Sequence, residues 1–176
     1  MPLRRTRRDA LTETPPGAPP LLDAPPAPHL TLVVTPERHD HLPDDWTMVG
    51  PLLIAGRTLD RVAVGPNGVF AVSLDPDPRP ATLGADGLFR GGRRVTTQVK
   101  QALAAAFDLR GTLATAGIDV FPYPVLVSRG ADGMLGRLRV VPPGCLASAV
   151  WSHPGRPLLR SERARVLAAV QHPATA

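Results

Sequence analysis

The sequence predicts one α/β domain, a mixed central sheet flanked by helices, on three observations. Apolar stretches of strand length precede one long helical stretch and resume after it. Two of those stretches flank Gly65-Pro66-Asn67-Gly68, a tight-turn sequence, and are apolar on both sides, as in a sheet covered on two faces. The helical stretch, Thr96 to Thr115, carries apolar residues at helical spacing.

The elements follow in chain order. Residues 1–28 contain PPGAPPLLDAPPAP, too rich in proline for helix or sheet and too poor in buriable surface to order itself; a disordered arm is expected. The domain is expected to span 29–172, with a short tail over 173–176. Leu30 to Thr35 (LTLVVT) reads as a strand, and PERHDHLPDD as a loop. Trp46 to Ala55 reads as one strand interrupted at Gly50-Pro51, at an edge or a bulge. Thr58 to Val64 and Val69 to Leu74 form a hairpin, and a short strand passes through Leu83 to Arg90. In the helix, Val99, Leu103, Ala106, Phe107, Leu113 and Ala114 mark the apolar face, and Gly111 weakens its second half. Val120 to Val127 is a strand whose start is disturbed by Pro122 and Pro124; Leu138 to Val141 is another. Leu146 to Trp151 is a helical turn. Ser161 to Gln171 is a terminal helix with Ser161 as its N-cap before Glu162.

Composition narrows the function classes. A chain of 176 residues allows one ordinary domain plus a tail. Aromatic residues are only 4% of it, so the core must be built from Val, Leu, Ala and Ile. No apolar run approaches a membrane span, and the basic start MPLRRTRRDALTETPP is followed by no apolar leader core. A cytoplasmic protein without a membrane partner is expected. The lone Cys145 excludes an intramolecular disulfide and a cysteine metal cluster. The net charge of +5 favours polyanions, but 19 of the 20 basic residues are Arg, which suits a GC-rich coding sequence. The densest basic cluster, Arg4, Arg5, Arg7 and Arg8, falls in the arm, and few rings are present for base stacking. Nucleic-acid binding is permitted, with Arg93 and Arg94 as candidate contacts, but not required.

The hairpin carries the sharpest chemical pattern. With Pro66 and Asn67 at the loop tip, Val64 pairs with Val69, which sets Asp60 opposite Ser73 and Thr58 opposite Asp75. Asp60, Ser73 and Asp75 then share one face. Residues from about Trp46 to Gln171 resemble the nuclease-related domain (NERD) family, in its actinobacterial-type versions. Asp60 within LDRVAVGPNGVFAV matches that family's acid–hydrophobic–Gly-Pro–Gly-Val-Phe hairpin, and the helix from Thr96 and the strand ending in PVLV follow in the expected order. The resemblance implies a PD-(D/E)xK nuclease-like, restriction-endonuclease-like core. In such a site one strand supplies an Asp, and the next supplies an acid or amide followed two residues later by Lys. The acids would hold Mg2+ or Mn2+, and the Lys would help activate water.

This chain keeps the first acid and departs at the other two positions. Ser73 stands for the second ligand, and Asp75 reverses the charge of the lysine; the family's acidic N-terminal helix is replaced by the Pro-rich arm. The expectation is a catalytically inactive member retained for binding or assembly, with no cofactor. One alternative is a metal-dependent nuclease with a rearranged site. Asp60 and Asp75 would then hold the metal, Lys100 would come from the helix, and Gln98 would be the polar helix residue. Another alternative is a module that binds a protein partner. Simpler roles are Asp60 paired with Arg57 or Arg61, Lys100 in solvent, and Gln98 as a cap. His39-Asp40-His41 with Asp44 and Asp45 reads as a solvated loop, since a tetrahedral metal site would need further ligands. Cys145 and His153 could be drawn as nucleophile and base, but a buried small Cys is the simpler reading. Gly84, Gly87, Gly91 and Gly92 lack a phosphate-loop pattern and mark turns.

Overall fold

The computed structural model describes residues 42–171. The arm, the strand Leu30–Thr35, the His39-Asp40-His41 cluster and the tail over 173–176 lie outside the described residues. The elements run β1 (Thr47–Val49), β2 (Leu52–Ile54), β3 (Arg57–Leu59), β4 (Arg61–Gly65), β5 (Gly68–Leu74), β6 (Thr82–Gly84), β7 (Gly87–Arg90), β8 (Arg93–Arg94) and α1 (Thr96–Thr115). Then follow β9 (Tyr123–Val127), β10 (Gly133–Leu135), β11 (Leu138–Val141), α2 (Leu146–Trp151) and α3 (Arg160–Gln171). The central sheet is six-stranded and mixed, in the order β1-β4-β5-β9-β11-β10. β5, β9 and β11 are parallel to one another, and the flanking strands are antiparallel. The long connection from β5 to β9 carries α1, as a parallel crossover requires. It also carries the small sheet β6-β7-β8.

The turn forms as its sequence dictates: Val64 faces Val69 and Gly65 faces Gly68. Its glycines are explained by tertiary contacts. A Cβ on Gly65 would collide with the ring of buried Trp46. Asn67 serves neither as a left-handed residue nor as a solvated tip. Its Nδ2 donates to the carbonyls of Val150 at 2.9 Å and Trp151 at 2.8 Å, satisfying the end of α2. The Leu158 N–H donates to Pro66 O at 2.6 Å, so the tip is held from two sides.

Both faces of the sheet are covered. On one, Val62, Val64, Val69 and Ala71 pack under Ala105, Ala106, Leu109 and Leu113 of α1 and Val166 and Val170 of α3. The alanines of α1 bring the helix close to the strands. Leu126, Leu138 and Val140 continue this face beneath Ala102 and Leu88. On the other face, Trp46, Ala63, Phe70, Val72, Val125 and Val141 pack against Leu146 and Val150 of α2. The scarce rings are concentrated here, with Phe70 5.6 Å from Trp46 and 5.5 Å from Tyr123 between centroids.

Several expectations are corrected. The stretch Trp46–Ala55 is two strands in different sheets, because after Gly50-Pro51 the chain leaves β4 and pairs with β3 instead. The first hairpin strand is likewise split at Asp60. The β4–β5 ladder ends at Arg61–Val72, and Thr58 faces Leu53 of β2, not Asp75. The apolar face of α1 is rotated from the expected one: Phe107 is 57% exposed, while Ala102, Ala105 and Leu109 are buried. The single short strand expected at Leu83–Arg90 is a three-stranded meander, and β10 was not foreseen. Ser161 is not the cap of α3. Glu162 instead accepts a hydrogen bond from the Leu159 N–H at 2.8 Å, reaching back from the third helical position as in a capping box.

Candidate functional site

Asp60 stands where the chain passes from β3 to β4, so no ladder restrains it, and its Oδ2 accepts a hydrogen bond from the Leu74 N–H at 2.7 Å. That bond ties the carboxylate to the carboxyl end of β5. The other oxygen takes no hydrogen bond from the described residues. Asp60, Thr58, Ser73, Gln98 and Gln101 line one cleft of about 350 Å3, with Arg57 at its side and Leu74, Ala105 and Leu126 as its apolar walls. The structure therefore brings together Asp60 and Ser73 of the hairpin pattern and Gln98, the polar helix residue of the rearranged-site alternative. The hydroxyls of Thr58 and Ser73 and the carboxamides of Gln98 and Gln101 have no hydrogen-bond partner among the described residues. Arg57 does not pair with Asp60; its Nε lies 3.3 Å from Asp108.

Asp75 is not in that cleft. Its side chain is fully buried, forms a close ion pair with Arg90, and accepts a hydrogen bond from Ser128 Oγ at 2.7 Å. Its second oxygen accepts from the Asp77 N–H at 3.1 Å. Arg90, itself 7% exposed at the side chain, also reaches Asp77 at 3.1 Å and donates to Arg79 O at 3.0 Å. So engaged and sealed from the cleft that Asp60 lines, Asp75 is not assembled with Asp60 as a pair of metal ligands. Lys100 is exposed and lines neither the cleft nor its neighbouring cavity. Among the described residues the donor set of the cleft is one carboxylate with hydroxyls and amides, which does not fit Mg2+ or Mn2+ held by paired acids. Among the described residues no group of three or more His, Cys, Asp and Glu is placed to hold a metal ion.

Beside the cleft lies a second cavity of about 330 Å3, lined by Arg79, Arg90, Arg93, Arg94, Asp77 and the first turn of α1. Gln98 borders both. Asp77 is held well below the usual carboxylate range, chiefly by the side-chain hydrogen bonds from Arg79. Arg94 donates to Asp86 O, while Arg93 makes no ion pair among the described residues. The first turn of α1 has no acidic residue, and Val95 supplies no side-chain cap.

The remaining candidates do not converge. Cys145 packs against the second core cluster, and His153 is turned onto the rings of Tyr123 at 3.9 Å and Phe70 at 5.4 Å, so no nucleophile–base pair forms. Burial lowers the pKa of His153. Asp44 and Asp45 line a separate cavity with Arg160 and Arg163, and Asp45 O accepts from Arg163 Nη1 at 2.6 Å. Glycines at 91 and 92 have φ of 54° and 76° and turn the chain between β7 and β8. Sequence reasoning missed Arg90, Ser128 and Gln101. Arg90 and Ser128 lie 15 and 53 residues from Asp75 in the chain, and no local pattern links them. Gln101 was legible, one helical turn after Gln98. Against protein-family models, curated proteins and solved structures alike, the chain has no match.

Proposed function

We propose that this domain is a nuclease-like scaffold without catalysis, of the kind its hairpin resembles, retained to bind a phosphate-bearing polymer. The observation that carries this reading is the isolation of Asp60. Among the described residues it is the single carboxylate lining the cleft, and the acid two residues beyond Ser73 is bonded to Arg90. Water activation in such a site would need a second charged ligand and a nearby base, and Ser73, Gln98 and Gln101 are neither. Arg93 and Arg94 beside the cleft support binding. The rearranged nuclease remains the competing enzyme reading; it would require Asp75 to leave Arg90 and Lys100 to turn into the cleft.

Purified protein is incubated with single- and double-stranded DNA and RNA in Mg2+ or Mn2+. No metal-dependent cleavage is expected. Cleavage abolished by Asp60→Ala overturns the proposal, and its loss in Lys100→Ala as well would establish the rearranged site. In a parallel binding assay, affinity for the polymer should fall steeply with salt, because bound arginines release counterions from the phosphates. A salt-insensitive complex with a protein would favour the partner-module reading, to which exposed Phe107, Met134 and Trp151 lend apolar surface.

A further inference from the structure

We propose that the paired cavities form a nucleotide site. The base is held where the family pattern would place metal, and the phosphate is held at Arg93 and Arg94. The inference rests on the binding reading of this same cleft. The chemistry of each half selects its occupant. The Asp60 half offers one free carboxylate oxygen, two carboxamides and two hydroxyls, all without hydrogen-bond partners among the described residues. One carboxylate is too little charge for a hard cation, and its negative charge repels a phosphate. What this set does match is a flat, uncharged edge bearing both donors and acceptors. A carboxamide such as Gln98 or Gln101 can pair bidentately with a base edge, and Asp60 accepts from an exocyclic amine. Leu74, Ala105 and Leu126 supply apolar surface for the faces of a ring.

The second half has the opposite character. Its lining sets four guanidinium groups against one carboxylate, Asp77, and Arg93 is without an ion pair among the described residues. Arg94 spends its bonds on the exposed Asp86 and its carbonyl, a partner that a phosphate can displace. Gln98 lines both halves, which places them side by side, as a ligand with a polar ring at one end and a phosphate at the other requires. Cavities of about 350 Å3 and 330 Å3 fall together within the range of about 300–1,000 Å3 usual for small-molecule sites. The nucleotide could be free or the phosphorylated end of a strand; the recognising chemistry is shared.

The full-length chain is titrated by calorimetry and by amide NMR with the four common nucleoside 5′-monophosphates, the matching nucleosides, ribose 5-phosphate, inorganic phosphate and a 5′-phosphorylated trinucleotide. At least one monophosphate should bind about tenfold or more tightly than its nucleoside and than ribose 5-phosphate, the size of one good polar contact set. Amides near Gln98 and Arg93 should move together. Arg93→Gln combined with Arg94→Gln should reduce the monophosphate to the affinity of the nucleoside. Asp60→Asn, which keeps the acceptor for the Leu74 N–H, should change which base is preferred. A trinucleotide that outbinds the monophosphate would identify a strand end as the source, and equal affinity a free nucleotide. Ribose 5-phosphate binding as tightly as the best monophosphate overturns the base pocket. No saturable binding of any nucleotide by a protein that still binds long polymer overturns this inference and leaves the scaffold reading standing. Metal-dependent cleavage abolished by Asp60→Ala would overturn both, because a metal would then occupy the half assigned to the base.

Discussion

Asp60 and Asp75 show how one residue type takes opposite roles on either side of Leu74, the last residue of β5. Asp60 is tied by one backbone N–H and keeps an oxygen toward the cleft, whereas Asp75 is sealed between Arg90, Ser128 and the Asp77 amide. The value of the buried pair lies mostly in the damage done by breaking it, since its formation also strips water from both ions. Asp75→Ala removes the closest carboxylate from the buried Arg90, leaving it Asp77 and the Arg79 carbonyl, and should cost about 3 kcal/mol of unfolding free energy. Ser73→Ala and Lys100→Ala, at positions with no such network, should stay within about 0.5 kcal/mol. Urea denaturation followed by circular dichroism measures all three. An Asp75 variant as stable as the parent would mean that its carboxylate is free to serve the cleft after all.

At the scale of elements, the capping of α3 ties its start to the preceding loop. Glu162 accepts from the Leu159 N–H and from Arg156 Nη2, each at 2.8 Å. Arg156 is the larger cause of its depressed pKa, with the Leu159 amide second. The sign follows from linkage. A carboxylate with a lowered folded pKa contributes its stability in full above the unfolded value, here 4.5, and loses it as pH falls through the folded pKa. Arg156 is exposed and Glu162 only half-buried, so the effect is small and screened by salt. Glu162→Gln should therefore lower the denaturation midpoint slightly at pH 6 and make a smaller difference at pH 3. Equal loss at both values would assign the effect to packing, not to charge.

For the whole molecule, His153 marks a junction where the end of α2, the hairpin tip and the start of β9 meet. Its ring packs on Tyr123 and Phe70, and burial alone lowers its pKa. Above its ordinary value of 6.5 the imidazole is neutral whether the chain is folded or unfolded, and contributes no pH dependence. Below that value the unfolded chain binds the proton first. Stability should decline as pH falls from 6.5 through the lower folded pKa, a window above that of Glu162. The difference between the parent and His153→Phe, measured as urea midpoints from pH 7.5 to pH 5, isolates this group from the other histidines. A constant difference across that range would refute the linkage.

Much of the architecture was legible because it is written locally. The bounds of α1 and α2, the Gly65–Gly68 turn and the pairing of Val64 with Val69 follow from periodicity and turn chemistry, which act over a few residues. Asp60 and Ser73 reach one cleft just beyond the end of that ladder, where the Leu74 N–H holds the Asp60 carboxylate. Tertiary structure decided the rest. β3 pairs with β2 and not with β5, because the chain after Gly50-Pro51 supplies a competing partner that no local pattern announces. α1 buries alanines and exposes Phe107, because close approach to the sheet favours small residues. Asp75 changed role for the same kind of reason. Its alternation along β5 was readable, but its charge is answered by Arg90 and Ser128, brought to it from distant stretches of chain. A sequence carries its turns and periods in neighbouring residues, while the partner of a buried charge is chosen only when the chain has packed.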